Sequence, residues 1–193
     1  MSKVTNIMLV GVGGQGTILV STLLAKGLIE AGYDVKMSEI HGMAQRGGSV
    51  STQVRFGKKV YSPLIGAGEA DYLVSFEKME ALRWLEQVKP DGQVVVNDYQ
   101  IDSSPILAGK AEYPDNALEL LQNKVSTNVV DAASIAAELG NLRVMNVVLF
   151  GALVAKLGLK DIDWESVVTT TVKKAFVDIN LKAFKAGMAS AQA

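Results

Sequence analysis

Two short stretches carry most of the chemistry this sequence could perform. The first is Gly11-Val12-Gly13-Gly14-Gln15-Gly16-Thr17, in which Gly11, Gly13 and Gly16 satisfy G-x-G-x-x-G. Glycines there accept backbone angles that Cβ-bearing residues resist, and free N–H groups at a helix start attract an anion. The second is His41-Gly42-Met43-Ala44-Gln45-Arg46-Gly47-Gly48. It holds the only histidine, a carboxamide and an arginine between glycines. Arg46 could clamp a carboxylate or phosphate through two parallel hydrogen bonds. A solvated loop whose arginine makes a surface ion pair is the plainer reading of an isolated arginine. The density of glycines and polar donors beside another glycine-rich turn favours function.

The glycine turn alone supports two readings that stand side by side. One is dinucleotide binding: Glu39 follows Gly16 by 23 residues, matching the acidic residue expected about 20 positions on. That would make the chain a nicotinamide- or flavin-dependent enzyme. The other is a tight turn that merely packs helix on sheet. Gln15 places a bulky amide where a diphosphate would lie, and the chain lacks the separate substrate domain most such enzymes carry.

Further candidates are weaker. Asn97-Asp98 ends an apolar run and could line a site, although such residues commonly just start a turn. Lys58-Lys59 reads as a solvated turn, and Trp84 and Trp164 as core. No G-x-S-x-G elbow and no Walker A sequence occurs, so serine-triad hydrolysis and P-loop phosphoryl transfer find no motif.

Composition narrows the classes. The chain has 193 residues, 49% apolar and 20% charged, with a formal net charge of −1. This is an ordinary globular balance, offering no electrostatic case for nucleic acid or an anionic membrane. No uncharged apolar run approaches about 18 residues, and the start lacks a signal-peptide layout, so a cytoplasmic protein without a membrane span is expected. With no cysteine and one histidine, the chain cannot hold a thiolate-ligated cluster or a histidine-rich metal site. Any redox chemistry must come from a bound cofactor or another chain.

The elements that would position these groups follow from periodicity. Lys3–Val12 reads as a strand, and Ile18, Leu19, Leu23, Leu24, Leu28 and Ile29 recur at helical spacing before Gly32. Further strands are expected over Asp34–Ile40, Ser49–Phe56, Asp71–Phe76, Val94–Asn97 and Thr127–Val130. Gly57-Lys58-Lys59 reads as a hairpin turn into Val60-Tyr61. Helices are expected over Glu77–Val88, Asn116–Asn123, Ala132–Leu139, Arg143–Leu157 and Asp163–Phe176, with Val177–Ser190 either continuing the last or starting another. Arg143–Leu157 is apolar on nearly every face and must be buried all round, within the domain or, through Gly151 and Ala152, against another subunit. The expected fold is α/β: a Rossmann-like, open, mostly parallel sheet with an antiparallel hairpin excursion and a helical C-terminal third. Residues 1–193 form one domain in this reading.

Gly11-Val12-Gly13-Gly14-Gln15-Gly16, paired with His41-Gly42-Met43-Ala44-Gln45-Arg46-Gly47-Gly48-Ser49-Val50 at this spacing, resembles the gamma-type domain of the 2-oxoacid:ferredoxin oxidoreductases. Within that family the pattern is most like the indolepyruvate branch, where this domain is the beta subunit, and the likeness runs through the Asn146-Val147-Val148-Leu149 helix. The resemblance implies oxidative decarboxylation: a 2-oxoacid and coenzyme A give an acyl-CoA and carbon dioxide, with two electrons passing to ferredoxin. Thiamine diphosphate, magnesium and iron–sulfur clusters would sit on a larger alpha subunit. The chain itself lacks cysteine and a Gly-Asp-Gly thiamine segment, so it would be an accessory subunit, inactive alone. Pyruvate, 2-oxoisovalerate or 2-oxoglutarate as substrate is the alternative within the family. Outside it, a stand-alone NAD(P) enzyme and a non-catalytic sensing module remain open.

On this resemblance Gly11, Gly13, Gly14, Gln15, Gly16, Glu39, His41, Gln45, Arg46, Gly47, Gly48 and Asn97 would form loops facing the partner's site. His41 and Arg46 are the candidates for direct action, and the Gly13–Gly16 N–H groups for a phosphate or a partner carbonyl. The isolated chain could pair with itself through an uncovered apolar patch.

Overall fold

A computed structural model describes residues 4–41, 47–159 and 161–191, with His41 described by its backbone alone. These residues form a six-stranded sheet in the order β2-β3-β1-β4-β5-β6. The strands are β1 (Thr5–Val12), β2 (Asp34–His41), β3 (Ser49–Gly57), β4 (Ala70–Ser75), β5 (Val88–Asn97) and β6 (Ser126–Val130). β1 pairs parallel with β4, β4 with β5 and β5 with β6, whereas β3 runs antiparallel to both β1 and β2. The Rossmann-like, mostly parallel α/β architecture is the expected one.

Alternation along β1 explains the two layers. Ile7 and Leu9 face one side with Val54, Val74 and Val95. Met8 and Val10 face the other with Leu73, Val94 and Val96. The first side is covered by α1 (Thr17–Glu30), α6 (Met145–Leu157), α7 (Trp164–Thr171) and α8 (Val177–Ser190), the second by α2 (Lys78–Arg83) and α4 (Ala117–Gln122). α3 (Ser104–Leu107) and α5 (Ala132–Glu138) complete the helices. Each fully buried aliphatic contributes about 1.5–3 kcal/mol. Exposed ion pairs such as Lys185–Glu165 contribute about 0–1 kcal/mol. The two apolar layers therefore dominate stability.

Several expectations are corrected. The antiparallel excursion is not a hairpin at Gly57–Tyr61; it is β3 itself, threaded between β1 and β2. After Gly57 the chain turns under the sheet instead of pairing. Arg55 there donates to the Ser62 and Leu64 carbonyl oxygens, and the Val60 N–H donates to Asp34. Lys89-Pro90-Asp91 does not merely stop a helix but belongs to β5, beside a register shift against β4, where a missing proline N–H is tolerated. The helix expected to Val88 ends at Arg83 and gives way to a 3-10 turn at Leu85–Gln87. The last helices are separate: α7 is capped by Asp163, whose side chain accepts from the Ser166 N–H, and it ends before extended Val172.

α6 is internal. Every residue from Asn146 to Val154 is buried, and α8 crosses it at close range. A Cβ on Gly151 would lie 2.1 Å from the Phe184 carbonyl oxygen, and one on Gly187 would lie 1.8 Å from that of Val148. Gly151 thus serves a contact within the chain rather than one with another subunit.

Candidate functional site

All parallel strands deliver their C-terminal ends to one edge of the sheet, the usual binding edge of open α/β folds. β1 enters the glycine turn there. Gly14 and Gly16 adopt φ of +104° and +83°, the left-handed region that favours glycine. The Gly16 position is also tight, since a Cβ would fall 2.3 Å from Asn146 Nδ2.

β3 begins at the same edge, and the two segments are bonded together. The Gly13 N–H donates to the Gly48 carbonyl (2.8 Å), and the Gly47 N–H donates to that of Gly13 (3.2 Å). His41 ends β2 opposite Val50 of β3. The glycine turn and the end of the histidine–arginine segment are therefore neighbours. Gln45, Arg46 and the His41 side chain lie outside the described residues.

A cleft of about 560 Å³ opens beside the turn. Gly13 to Gly16 form one wall, Phe76, Asn97, Tyr99 and Ile101 another, and Leu142, Arg143, Met145 and Asn146 a third. Among the described residues its lining includes one cation, Arg143, and no carboxylate. Arg143 and Asn146 open an apolar helix, so the only sequence signal was two polar residues interrupting that stretch. Tyr99 and Ile101 lie in the least regular part of the chain and carried no pattern.

The expected site residues divide. Gln15 lines the cleft, but both ends of its amide are engaged within the chain. Its Oε1 accepts from the Val12 N–H (2.8 Å) and its Nε2 donates to the Phe76 carbonyl (2.8 Å). It is a strut joining β1 to the end of β4. Asn97 lines the cleft, but it donates to the same Phe76 carbonyl (3.3 Å) and accepts from the Ala132 N–H (3.2 Å). The N–H groups of Gly13 and Gln15 are likewise bonded inside the protein, which leaves the exposed Gly14 and the first turn of α1 to meet an anion.

Glu39 does not sit where a ribose-binding acid should. In a dinucleotide fold the second strand lies beside the first. Here β3 intervenes, moving β2 two strand spacings, roughly 10 Å, from β1. Glu39 instead accepts from the Ser21 hydroxyl of α1 (3.3 Å).

Two buried carboxylates that the sequence did not single out support the cleft and the start of β3. Glu77 caps α2, accepting from the Glu80 N–H (2.8 Å), the Ile101 N–H (3.3 Å) and the Tyr113 hydroxyl. Burial, reinforced by the Glu77 carboxylate, pushes the Tyr113 hydroxyl far above the ordinary tyrosine range, so it remains a donor. Glu80 accepts from the Ser49 hydroxyl at the start of β3 and from Arg83 Nε (3.0 Å). One short helix thus fastens both the Ile101 wall and the strand leading out of the histidine–arginine segment. The Glu77–Glu80 spacing, a cap followed by Glu three residues later, was the available signal.

Among the described residues no helix is long and apolar enough to cross a membrane. The family model for pyruvate ferredoxin/flavodoxin oxidoreductase matches residues 6–190. The chain is 37% identical to the indolepyruvate oxidoreductase subunit IorB of Thermococcus kodakarensis, covering 98% of this chain and 97% of that protein. It is 40% identical to the subunit of the same name from Archaeoglobus fulgidus, covering 94% and 92%. In fold it is similar to the gamma subunit of a keto/oxoacid ferredoxin oxidoreductase from Geobacter sulfurreducens PCA. The TM-score there is 0.70 at 24% identity, with 97% of this chain and 98% of that one covered.

Proposed function

Because the chain belongs to the pyruvate ferredoxin/flavodoxin oxidoreductase family, we propose that it is the accessory subunit of a thiamine-dependent 2-oxoacid:ferredoxin oxidoreductase of the indolepyruvate type. The whole chain, 1–193, acts as one gamma-type domain. The complex would convert an arylpyruvate and coenzyme A to an aryl-acetyl-CoA, carbon dioxide and a proton, delivering one electron to each of two ferredoxins. The carbon chemistry and electron transfer belong to cofactors on the larger alpha subunit: thiamine diphosphate with magnesium, and iron–sulfur clusters. The cysteine-free sequence has no thiolate for a cluster.

The observation that carries this reading is the bonding of Gly13 to Gly47 and Gly48 at the sheet's carboxyl edge. It sets the glycine turn beside Gly47 and Gly48, the end of the histidine–arginine segment. There Gly14 and the start of α1 would receive an anionic group or a partner carbonyl. Arg46 would clamp a carboxylate or phosphate, with His41 and Gln45 as hydrogen-bonding neighbours. Gln15 holds the turn against Phe76, Asn97 ties Phe76 to the start of α5, Glu77 holds the Ile101 wall and Glu80 the start of β3. The displaced Glu39 argues against a stand-alone NAD(P) enzyme.

Co-expression with the larger thiamine-binding chain tests the reading. The complex should reduce ferredoxin in the presence of coenzyme A and indolepyruvate, faster than with pyruvate, 2-oxoisovalerate or 2-oxoglutarate. The isolated chain should do neither. Micromolar affinity of the isolated chain for NAD or NADP, or ferredoxin reduction undiminished when this chain is omitted, would overturn it.

A further inference from the structure

A second hollow adjoins the cleft. Leu19, Val144, Val172, Phe176 and Ile179 line an apolar groove of about 390 Å³ where α1, the 3-10 turn before α6 and the α7–α8 junction meet. The break after α7 leaves Phe176 at the start of α8, 48% exposed, and Leu142 beside the groove is 56% exposed. Among the described residues the charged groups of the lining are Arg143 and Lys173, and no carboxylate joins them. Among the described residues neither cation forms an ion pair. The groove and the cleft share Arg143 and Asn146, so a body covering one borders the other.

We propose that this groove docks an acidic segment of the larger subunit, with one large apolar side chain in the groove and a carboxylate on Arg143 or Lys173. The proposal rests on the accessory-subunit reading and says which face the partner takes. Charge selects the occupant. An apolar floor rimmed by two unpaired cations attracts a carboxylate-bearing segment and repels a basic one. A second copy of this chain is a poor fit, because a two-fold contact sets the same patch against itself and would oppose like charges. Docking here also places the partner at the edge of the cleft, where the reactive chemistry has to arrive.

The test measures binding of the larger, thiamine-binding chain to wild type, Phe176→Asp, Lys173→Glu and, as control, Leu64→Asp. Leu64 is exposed at the opposite edge of the sheet. Circular dichroism and melting temperature establish that each variant is folded. Phe176→Asp should raise Kd at least tenfold. Lys173→Glu should raise it several-fold and flatten its salt dependence, while Leu64→Asp leaves Kd unchanged. Folded groove variants that bind like wild type would overturn the groove and leave the accessory-subunit reading standing. Failure of wild type to bind would overturn both. A homodimer of the isolated chain that Phe176→Asp dissolves in sedimentation would assign the groove to a second copy and overturn the proposal.

Discussion

The Gln15 amide joins the end of β1 to the residue that follows β4. Removing it strands the Val12 N–H and takes one of two donors from the Phe76 carbonyl. A buried polar group left without its partner costs about 1–3 kcal/mol. Gln15→Ala should lose that much stability in urea unfolding, and Gln15→Glu at least as much, because an acceptor would then face the Phe76 oxygen. Asp34 gives a pH-dependent counterpart at the far edge. Its carboxyl is held at about 2, below the ordinary 3.8, first by the hydrogen bond from Lys36 and next by the Val60 N–H. The folded value lies below the unfolded one, so this stabilisation is present above pH 3.8 and fades as pH falls through about 2. Asp34→Asn should flatten the fall of melting temperature across that acid window, with the wild-type slope persisting as the contrary result.

At the scale of elements, the α6–α8 crossing depends on two positions that lack a side chain. A methyl group on Gly151 would enter the backbone of α8 at Phe184, and rigid backbone cannot yield as a side-chain end could. Gly151→Ala should cost about 3 kcal/mol or more by forcing the helices apart; a change within a few tenths in chemical denaturation would show that they slide freely. The same crossing explains why α6 is apolar all round without meeting another subunit: sheet, α5 and α8 already cover it. α2 works differently. It spans only Lys78–Arg83, too short to be stable alone, and is held in place by its buried carboxylates and by packing. Glu77 and Glu80 thereby tie the Ile101 wall of the cleft and the start of β3, distant in the chain, to one helix.

For the whole molecule, the proposed function would divide labour between chains. This one would supply the shaped carboxyl edge of the sheet, and the larger subunit the reactive cofactors. Arg46→Ala in the reconstituted complex should raise KM for the oxoacid or for coenzyme A by roughly ten- to a hundredfold, the worth of a charge-assisted hydrogen bond of about 1.5–3 kcal/mol. Subunit association should not change. Unaltered KM and kcat would remove Arg46 from the site.

Periodicity and glycine placement were enough for the α/β class, because a strand with apolar residues on both faces requires covering layers whatever surrounds it. Lys3–Val12 and Val94–Asn97 were legible for that reason. The absence of cysteine likewise ruled out a thiolate-ligated cluster on this chain before any fold was known. Strand order was not legible, since β3 differs from a parallel neighbour only in direction, which side-chain alternation does not record. That one insertion separates Glu39 from the turn, so the apparent nucleotide fingerprint lacks its acidic partner beside β1. Nor could local pattern foresee that Gln15 and Asn97 meet on one carbonyl, or that Arg143 and Tyr99 share a cleft. Those pairings join residues far apart in the chain, and only the packed sheet brings them within hydrogen-bond or van der Waals reach.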